Sequence, residues 1–364
     1  MNPSPILLEP VRAHSRPVET FISGFRGWSG IRFSTNGWRG EPWGHDLIFV
    51  QPRTPKRPGT ILEITGWEPN AKDMRMAQEW ADASGMTVAL LFQIPRQPIE
   101  GRIEDELIAH SFALYLASKD PADLLLAPMI ASSVAALDLI EGPVVVTGAS
   151  KRGWTTWWVG LLQDERVVGI APRVFDHLDF GWQQKRQAEL WGAPSPMVQD
   201  YTEYGWSFDL ENPEVAALIG VVDPHPHRSR LNVPTLVLSG ANDPFWCPDP
   251  WAAIAPTMPD CVSYLAAPNA GHGMADRRWW SASLGRFAQE CAEGRTRPAI
   301  TGTRTWRAEA QEPKIVHALW RPVAEGDQPM PARKQGLWMA EMTENRYEDG
   351  SRRTTPVRLD PPLK

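Results

Sequence analysis

The chain has 364 residues, 42% of them hydrophobic, enough to bury a large core in one main domain with a smaller appendage. Its formal net charge of −6, without a long basic run, gives no electrostatic reason to expect a nucleic-acid partner. The three cysteines (Cys247, Cys261 and Cys291) have no CxxC spacing. Neither a disulfide framework nor a structural zinc site is therefore expected.

No stretch of the sequence predicts export or membrane insertion. The start, "MNPSPILLEPVRAH", lacks the basic beginning and sustained apolar run of a signal peptide. No window of about 18 apolar residues occurs that could span a bilayer. We expect a cytoplasmic protein that acts on a small-molecule or peptide substrate without a membrane partner. Its oligomeric state stays open.

The predicted elements change character along the chain. Residues 1–58 predict short strands and loops, with "HDLIFVQP" (45–52) as the clearest strand. Further on, buried strands alternate with amphipathic helices. The strands span 59–66, 86–92, 143–148, 166–175, 234–240 and 261–268. The helices span 70–85, 102–119, 121–142, 151–162, 249–258 and 275–294. This alternation predicts a doubly wound α/β fold with a mostly parallel sheet.

Two segments depart from that alternation. Residues 176–232 form a long insertion rich in Trp, His, Asp and Pro, which predicts a cap over a site at the end of a strand. From 298 onward an alternating apolar pattern predicts a small antiparallel β module that ends in a polar tail. We therefore assign 1–297 to the main domain and 298–364 to the module. The alternative is that the module is an edge extension of the main domain.

The stretch "GPVVVTGASKRGWTTWWVG" (142–160) fits two kinds of site. A dinucleotide loop would need glycines four and six positions after Gly148, where Arg152 and Trp154 stand instead. A YxxxK pair, Tyr115 and Lys119, precedes this loop, whereas in short-chain dehydrogenases it follows. The sequence therefore disfavours a nicotinamide oxidoreductase. We expect no cofactor and no metal.

The second possibility is a nucleophile elbow. Ser150 follows the strand, Gly148 is the small residue two positions before it, and a helix begins directly after it. The backbone N–H of Lys151 then offers one donor to an oxyanion, and Gly66 or Trp67 is the candidate for a second. This arrangement predicts Ser150 as the nucleophile of a serine hydrolase that cleaves an ester, thioester or amide.

A nucleophilic serine needs a base and an orienting acid, which in this fold follow in the chain order Ser, acid, His. Asp243 comes just after one predicted strand and His272 just after the next. Asp176 is an alternative acid. Three further histidines fall within the predicted cap: His177, His225 and His227.

Tryptophans are unusually frequent, 18 in all. Trp182 and Trp206 fall in the predicted cap and Trp246 follows the predicted acid, so we expect these three to contact an apolar or aromatic substrate. Filling of the core and its rim is the alternative role for any one of them. A hydrolase fold retained for binding without catalysis is the alternative function.

These stretches resemble the PhoPQ-activated pathogenicity-related protein family of α/β-hydrolase-like proteins. The likeness covers about residues 40–295 and is carried by "IPRQPIEGRIEDELIAHSF", "LAPMIASSVAALD", "GASKRGWTTW", "VDPHPHRSRLNVPTLVLSGANDPFWCPD" and "LAAPNAGHGM". It implies the α/β-hydrolase fold and catalytic roles for Ser150, Asp243 and His272. It also accounts for Arg152, since "KRGW" is the family's form of the elbow. The Lys151 side chain is then expected either near the oxyanion or as an exposed lysine.

Overall fold

The computed structural model describes residues 5–14, 16–17, 19–25, 27–205, 211–324 and 334–363. Over this part of the chain the main sheet contains nine strands in the order β1-β2-β3-β5-β4-β6-β7-β8-β9. Its strands are β1 (Glu19–Phe25), β2 (Trp28–Trp38), β3 (Glu41–Val50), β4 (Thr60–Ile64), β5 (Thr87–Leu91), β6 (Val144–Ala149), β7 (Val167–Arg173), β8 (Thr235–Gly240) and β9 (Val262–Ala267). Strands β1 to β3 are antiparallel and β3 pairs antiparallel with β5. The remaining pairs are parallel, as predicted.

Helices cover both faces of the sheet. The α-helices are α1 (Glu9–His14), α2 (Ala71–Ser84), α3 (Glu104–Ser118), α4 (Leu126–Leu137), α5 (Lys151–Leu161), α6 (Phe180–Trp191), α7 (Gln199–Glu203), α8 (Pro213–Val222), α9 (Pro250–Ile254) and α10 (Arg277–Glu293). Helices α2 and α10 pack over one apolar cluster, and α4 and α5 over the other. Among the described residues, no helix has the length and apolarity needed to cross a membrane.

Local sequence explains where these elements begin and end. The central strands β4, β5 and β6 are almost continuous apolar runs, as expected for parallel strands buried on both faces. Asn70 caps the start of helix α2, and its side chain accepts hydrogen bonds from the N–H groups of Lys72 and Asp73. Gly85 caps the end of the helix and takes a left-handed φ of 69°.

The predicted cap lies between β7 and β8 and contains α6, α7 and α8. Because β7 runs parallel to its neighbours, the cap starts at the carboxyl edge of the sheet. Polar and charged groups at this edge are placed where ligands of open α/β sheets bind. The cap therefore stands over the end of β6 that carries Ser150.

The C-terminal residues form a second sheet of five strands within the described part of the chain. These are β10 (Ile300–Ala310), β11 (Arg321–Pro322), β12 (Trp338–Tyr347), β13 (Arg352–Thr354) and β14 (Arg358–Asp360). The residues predicted as a polar tail differ from that expectation, since they supply β13 and β14. Val357 between them is buried in the same apolar cluster as the helices of the main domain, so the two sheets share a core.

Candidate active site

Ser150 occupies the sharp turn between β6 and α5. Its backbone has φ 57° and ψ −128°, a strained conformation for a residue with a side chain, and its N–H donates to the carbonyl of Arg173 at 2.9 Å. The glycines on either side explain the GxSxxG spacing. A β carbon at Gly148 would lie 2.7 Å from the carbonyl oxygen of Arg152, and one at Gly153 would lie 2.7 Å from that of Arg173. The turn can therefore form only with glycine at both places.

The structure brings the three predicted site residues together in one hydrogen-bonded chain. His272 Nε2 lies 3.0 Å from Ser150 Oγ, and His272 Nδ1 lies 2.7 Å from Asp243 Oδ2. The other oxygen of Asp243 accepts from the N–H of Phe245 at 2.9 Å, and the Phe245 ring stacks on the His272 ring at 3.9 Å. The imidazole is thus fixed at its edge by the carboxylate and at its face by the phenyl ring.

Asp176, the alternative acid, is placed elsewhere. Its Oδ2 accepts a hydrogen bond from the Tyr264 hydroxyl at 3.1 Å. Burial, with the nearby charge of Asp243, raises the pKa of Asp176 to about 6. In the structure, the carboxylate that bonds to His272 is that of Asp243 and not that of Asp176.

The Lys151 side chain is not the exposed lysine of one expectation, and its role near the oxyanion stays a prediction. It is neither exposed nor free, because it is buried and its Nζ lies 2.6 Å from Glu104 and 3.1 Å from Asp105. Arg152 binds the same Glu104 through both terminal nitrogens, at 2.7 and 2.8 Å, and donates from Nε to the carbonyl of Ile94. The two bulky side chains after the serine therefore enter a charged cluster with the carboxylates of Glu104 and Asp105, and Lys151 also lines the pocket beside Ser150.

The carboxyl group of Glu104 is ionised and binds both cations of this cluster. Burial acts to raise its pKa, but the hydrogen bonds and charge of Arg152, and then the charge of Lys151, outweigh burial and hold the pKa well below its usual range. Two cations, Lys151 and Arg152 at the start of α5, thus meet two carboxylates, Glu104 and Asp105, at the start of α3. The cluster fixes α5, and with it the turn that presents Ser150.

A pocket lies beside Ser150 under the cap and encloses about 810 Å³, part of which is open to solvent. Aromatic rings dominate its wall. Trp154 and Phe175 are stacked at 5.0 Å, and the Phe180 ring meets Trp154 edge-on at 5.3 Å. The aliphatic side chains of the wall are Val198, Leu218, Ile219 and Val222. Such a lining suits a predominantly apolar ligand.

The sequence profile of the PhoPQ-activated pathogenicity-related protein family matches residues 26–322. The chain belongs to that family. A relative of known name, the autocrine proliferation repressor protein A of Dictyostelium discoideum, is 27% identical over 319 residues, which are 79% of this chain and 64% of the relative. The chain thus spans less than two thirds of the length of that relative.

Solved structures similar to this PhoPQ-related chain include two acetyl xylan esterases. The enzyme from a Thermoanaerobacterium species aligns with a TM-score of 0.59 and 18% identity, over 80% of this chain and 95% of the esterase. The one from a Paenibacillus species aligns with a TM-score of 0.54 and 15% identity, over 78% and 92%. At these identities the likeness shows the fold, which is the predicted α/β-hydrolase fold.

The other predicted site residues of the PhoPQ-related chain have different positions relative to the pocket. The side chain of Trp67 is 52% exposed, and the role predicted for this residue concerns its backbone N–H. Gly66 lies against the guanidinium of Arg152. Trp182 is 37% exposed and is not among the residues that line the pocket, and its contact with a substrate stays a prediction. Trp206 falls outside the described residues. Trp246 lines the pocket, and its contact with a substrate stays a prediction.

The three cap histidines have separate environments. His177 lines the pocket, stacks on Trp246 at 3.9 Å and bonds to Gln183, and burial lowers its pKa to about 3. His225 bonds to the Thr257 hydroxyl, and the His227 ring lies against Trp158. Among the described residues, no group of three or more His, Cys, Asp and Glu side chains is placed to hold a metal ion.

Sequence reasoning missed Glu104 and most of the pocket wall. Glu104 falls within a stretch that carried the family likeness, and three acids in the first turn of α3 are a sign of an anchored helix start. No sequence pattern indicates that Glu104 binds Lys151 and Arg152, which lie 47 and 48 positions further along the chain. Of the wall residues, Phe175 comes just after β7 and Phe180 begins α6. Aromatic residues at such positions are also expected from ordinary core packing, so the sequence does not mark them as pocket residues.

Proposed function

We propose that this PhoPQ-related chain is a serine hydrolase that cleaves a carboxylic ester, thioester or amide through an acyl-enzyme intermediate. The observation that supports this most directly is the hydrogen-bonded chain Ser150–His272–Asp243, at 3.0 and 2.7 Å. An isolated serine hydroxyl is a poor nucleophile at neutral pH, and an imidazole oriented by a carboxylate is the arrangement that activates it.

In the proposed reaction, Ser150 Oγ attacks the substrate carbonyl carbon while His272 Nε2 takes the hydroxyl proton. Asp243 holds the imidazole with Nε2 free to accept that proton and stabilises the imidazolium that forms. The protonated His272 then gives its proton to the leaving group as the carbonyl–heteroatom bond breaks. A water molecule, deprotonated by His272, hydrolyses the acyl-serine and restores the free enzyme. The proton of Ser150 thus departs with the leaving group, and the imidazolium gives the proton taken from water to Ser150 Oγ as the acyl–oxygen bond breaks.

The charge on the carbonyl oxygen needs donors in place before reaction. We assign this role to the N–H of Lys151, at the first position of α5, and to the N–H of Gly66 or Trp67 in the loop after β4. The helix start adds partial positive charge at the same place. The side chains of Lys151 and Arg152 take no part, since both bind Glu104.

The pocket supports an apolar substrate group beside the scissile bond. Its wall is aromatic and aliphatic, and its polar members include Lys151 and Asp105, which are already paired with each other. A charged substrate group would lose its hydration in this pocket without gaining an equivalent partner. We therefore propose an apolar or aromatic acyl or leaving group, in contrast to the acetyl and xylan groups in the names of the similar esterases.

Labelling with a fluorophosphonate probe tests the proposal. The wild-type chain should be labelled in a time-dependent manner, and Ser150→Ala should not be labelled although it remains folded by circular dichroism. p-Nitrophenyl esters of increasing acyl length should be hydrolysed by the wild type alone. A folded wild-type chain that is neither labelled nor active would overturn the proposal and favour a binding protein with a hydrolase fold. Equal labelling of Ser150→Ala would also exclude Ser150 as the nucleophile.

A further inference from the structure

The loop after β8, which carries Asp243, is bound to a segment near the C-terminus. We name residues 315–320 the clasp. The side-chain nitrogen of Asn242 lies 2.8 to 3.2 Å from three backbone carbonyl oxygens of the clasp, those of Ile315, Val316 and Ala318. Asn242 is 8% exposed and directly precedes Asp243. A shift of the clasp would therefore be passed to the carboxylate through one peptide unit.

The loop after β9, which carries His272, is bound to the same clasp. Asn269 donates from its side-chain nitrogen to the carbonyl of Trp320 at 2.9 Å, and its side-chain oxygen accepts from the Trp320 N–H at 2.7 Å. This is a reciprocal pair of bonds that fixes both position and orientation. Asn269 has a φ of 59°, a left-handed conformation that asparagine tolerates better than most residues. Asn269 lies shortly before His272 in the same loop after β9.

The two loops also contact each other. The N–H of Asn242 donates to the carbonyl of Ala270 at 2.9 Å. A β carbon at Gly240 would overlap the carbonyl oxygens of Ala270 and Gly271, so the loop after β9 crosses directly over the end of β8. The acid, the base and the clasp thus form one hydrogen-bonded unit.

The clasp itself is anchored in the protein interior. Ile315 and Trp320 are each 2% exposed and belong to the main apolar cluster. On the cap side, the Lys314 ammonium lies 4.8 Å from the centre of the Trp191 ring at the end of α6. A segment held at both of its ends by buried side chains is a rigid support for two loops.

We propose that the clasp is a positioning element for the reaction, in which Asn242 and Asn269 hold Asp243 and His272 at their working separation before substrate binds. This inference rests on the proposed hydrolase function. Neither asparagine reaches the substrate pocket, so both act through the residues that they hold. A loss of either clasp contact should loosen the 2.7 Å bond between Asp243 and His272, and small misplacements of reacting groups have large effects on rate.

Single-site variants test the clasp. Asn269→Ala removes both bonds to Trp320 and should lower kcat about tenfold per active site titrated with fluorophosphonate, while KM changes by less than about twofold. Asn242→Ala should act in the same direction. Asn269→Asp keeps an acceptor for the Trp320 N–H and should recover part of the rate. Ser283→Ala serves as the matched control, because Ser283 accepts from the Arg352 N–H and ties the second sheet to α10 away from both loops.

Hydrogen–deuterium exchange of the wild type and the four variants gives a readout that does not depend on activity. Peptides covering 240–246 and 268–274 should exchange faster in Asn242→Ala and Asn269→Ala than in Ser283→Ala. Unchanged exchange in these peptides, or an unchanged kcat per titrated site with only a lower melting temperature, would overturn the positioning role. If the wild type is not labelled by the probe, the hydrolase proposal fails, and the exchange data still decide whether the clasp holds the two loops.

Discussion

Gly66 lies directly beneath the guanidinium of Arg152, so close that a β carbon at position 66 would overlap it. The same guanidinium binds Glu104 with two hydrogen bonds. The loop after β4 and the start of α5 are thereby packed face to face, with a planar cation between them. A glycine is needed in the loop for packing reasons, apart from any role of its N–H in the reaction.

This contact predicts the effect of Gly66→Ala. The added methyl group must displace Arg152 from Glu104, so we expect a loss of about 1–3 kcal/mol in the free energy of unfolding, together with reduced esterase activity. Urea denaturation followed by tryptophan fluorescence measures the first effect. Gly44→Ala is the control, because a β carbon at Gly44 meets no atom within 4 Å. Equal stability of the two variants would contradict the predicted contact.

The Glu104 cluster predicts a pH dependence of stability. Arg152 and Lys151 hold the pKa of Glu104 below its usual range, against the opposing effect of burial, so the carboxylate stabilises the fold at neutral pH. That contribution is fully present above the unfolded pKa of about 4.3 and is lost as the pH falls toward the folded value. Glu104→Gln should lose about 3 kcal/mol at pH 7, since it leaves Arg152 without its carboxylate partner and Lys151 with Asp105 alone.

The difference between Glu104→Gln and wild type should shrink as the pH is lowered from 5 to 3. Urea titrations at several pH values measure it. Glu106→Gln is a suitable control, because Glu106 is an exposed acid two positions further along the same helix. A difference that stays constant over this pH range would show that Glu104 does not carry the charge that binds the two cations.

The identity of the acid can be tested against its alternative. Asp243→Asn should lower kcat by about 10⁴-fold, because an amide favours the wrong imidazole tautomer. Asp176→Asn should keep activity close to wild type, since Asp176 binds Tyr264 and not His272. Steady-state hydrolysis of a p-nitrophenyl ester measures both. A larger loss in Asp176→Asn than in Asp243→Asn would reverse the assignment.

The pocket wall predicts a selective effect of Trp246→Ala. Removal of this ring takes away apolar contact surface, so KM for long-chain or aromatic esters should rise about tenfold while that for an acetyl ester changes little. Trp182→Ala is the matched control, because this ring is exposed and lies outside the pocket. A rise of similar size for every ester length would indicate general damage to the site and not loss of substrate contact.

The fold and the Ser–Asp–His arrangement could be predicted because each rests on local pattern. Buried strands have continuous apolar runs, and the three site residues each follow the end of such a strand. Since parallel strands share one carboxyl edge, residues at consecutive strand ends must come close. The family likeness pointed to the same residues.

The side-chain positions of Lys151, Arg152 and Trp182 could not be predicted in this way. The position of each side chain depends on which residues lie next to it in the fold, and those neighbours come from distant segments of the chain. Glu104 is 47 positions from Lys151, and whether a tryptophan on α6 faces the pocket or solvent depends on how the cap docks. Clasp contacts such as that between Asn269 and Trp320 span 51 positions and involve backbone groups that have no sequence signature.

The clasp has a consequence for the order of events on the ribosome. The nucleophile turn, the acid and the base are all synthesised well before Trp320, which lies 51 positions after its partner Asn269. A nascent chain that has emerged only as far as α10 holds every reacting side chain but lacks the contacts that align two of them. The proposed hydrolytic competence should therefore arise only after the clasp, through Trp320, has left the exit tunnel.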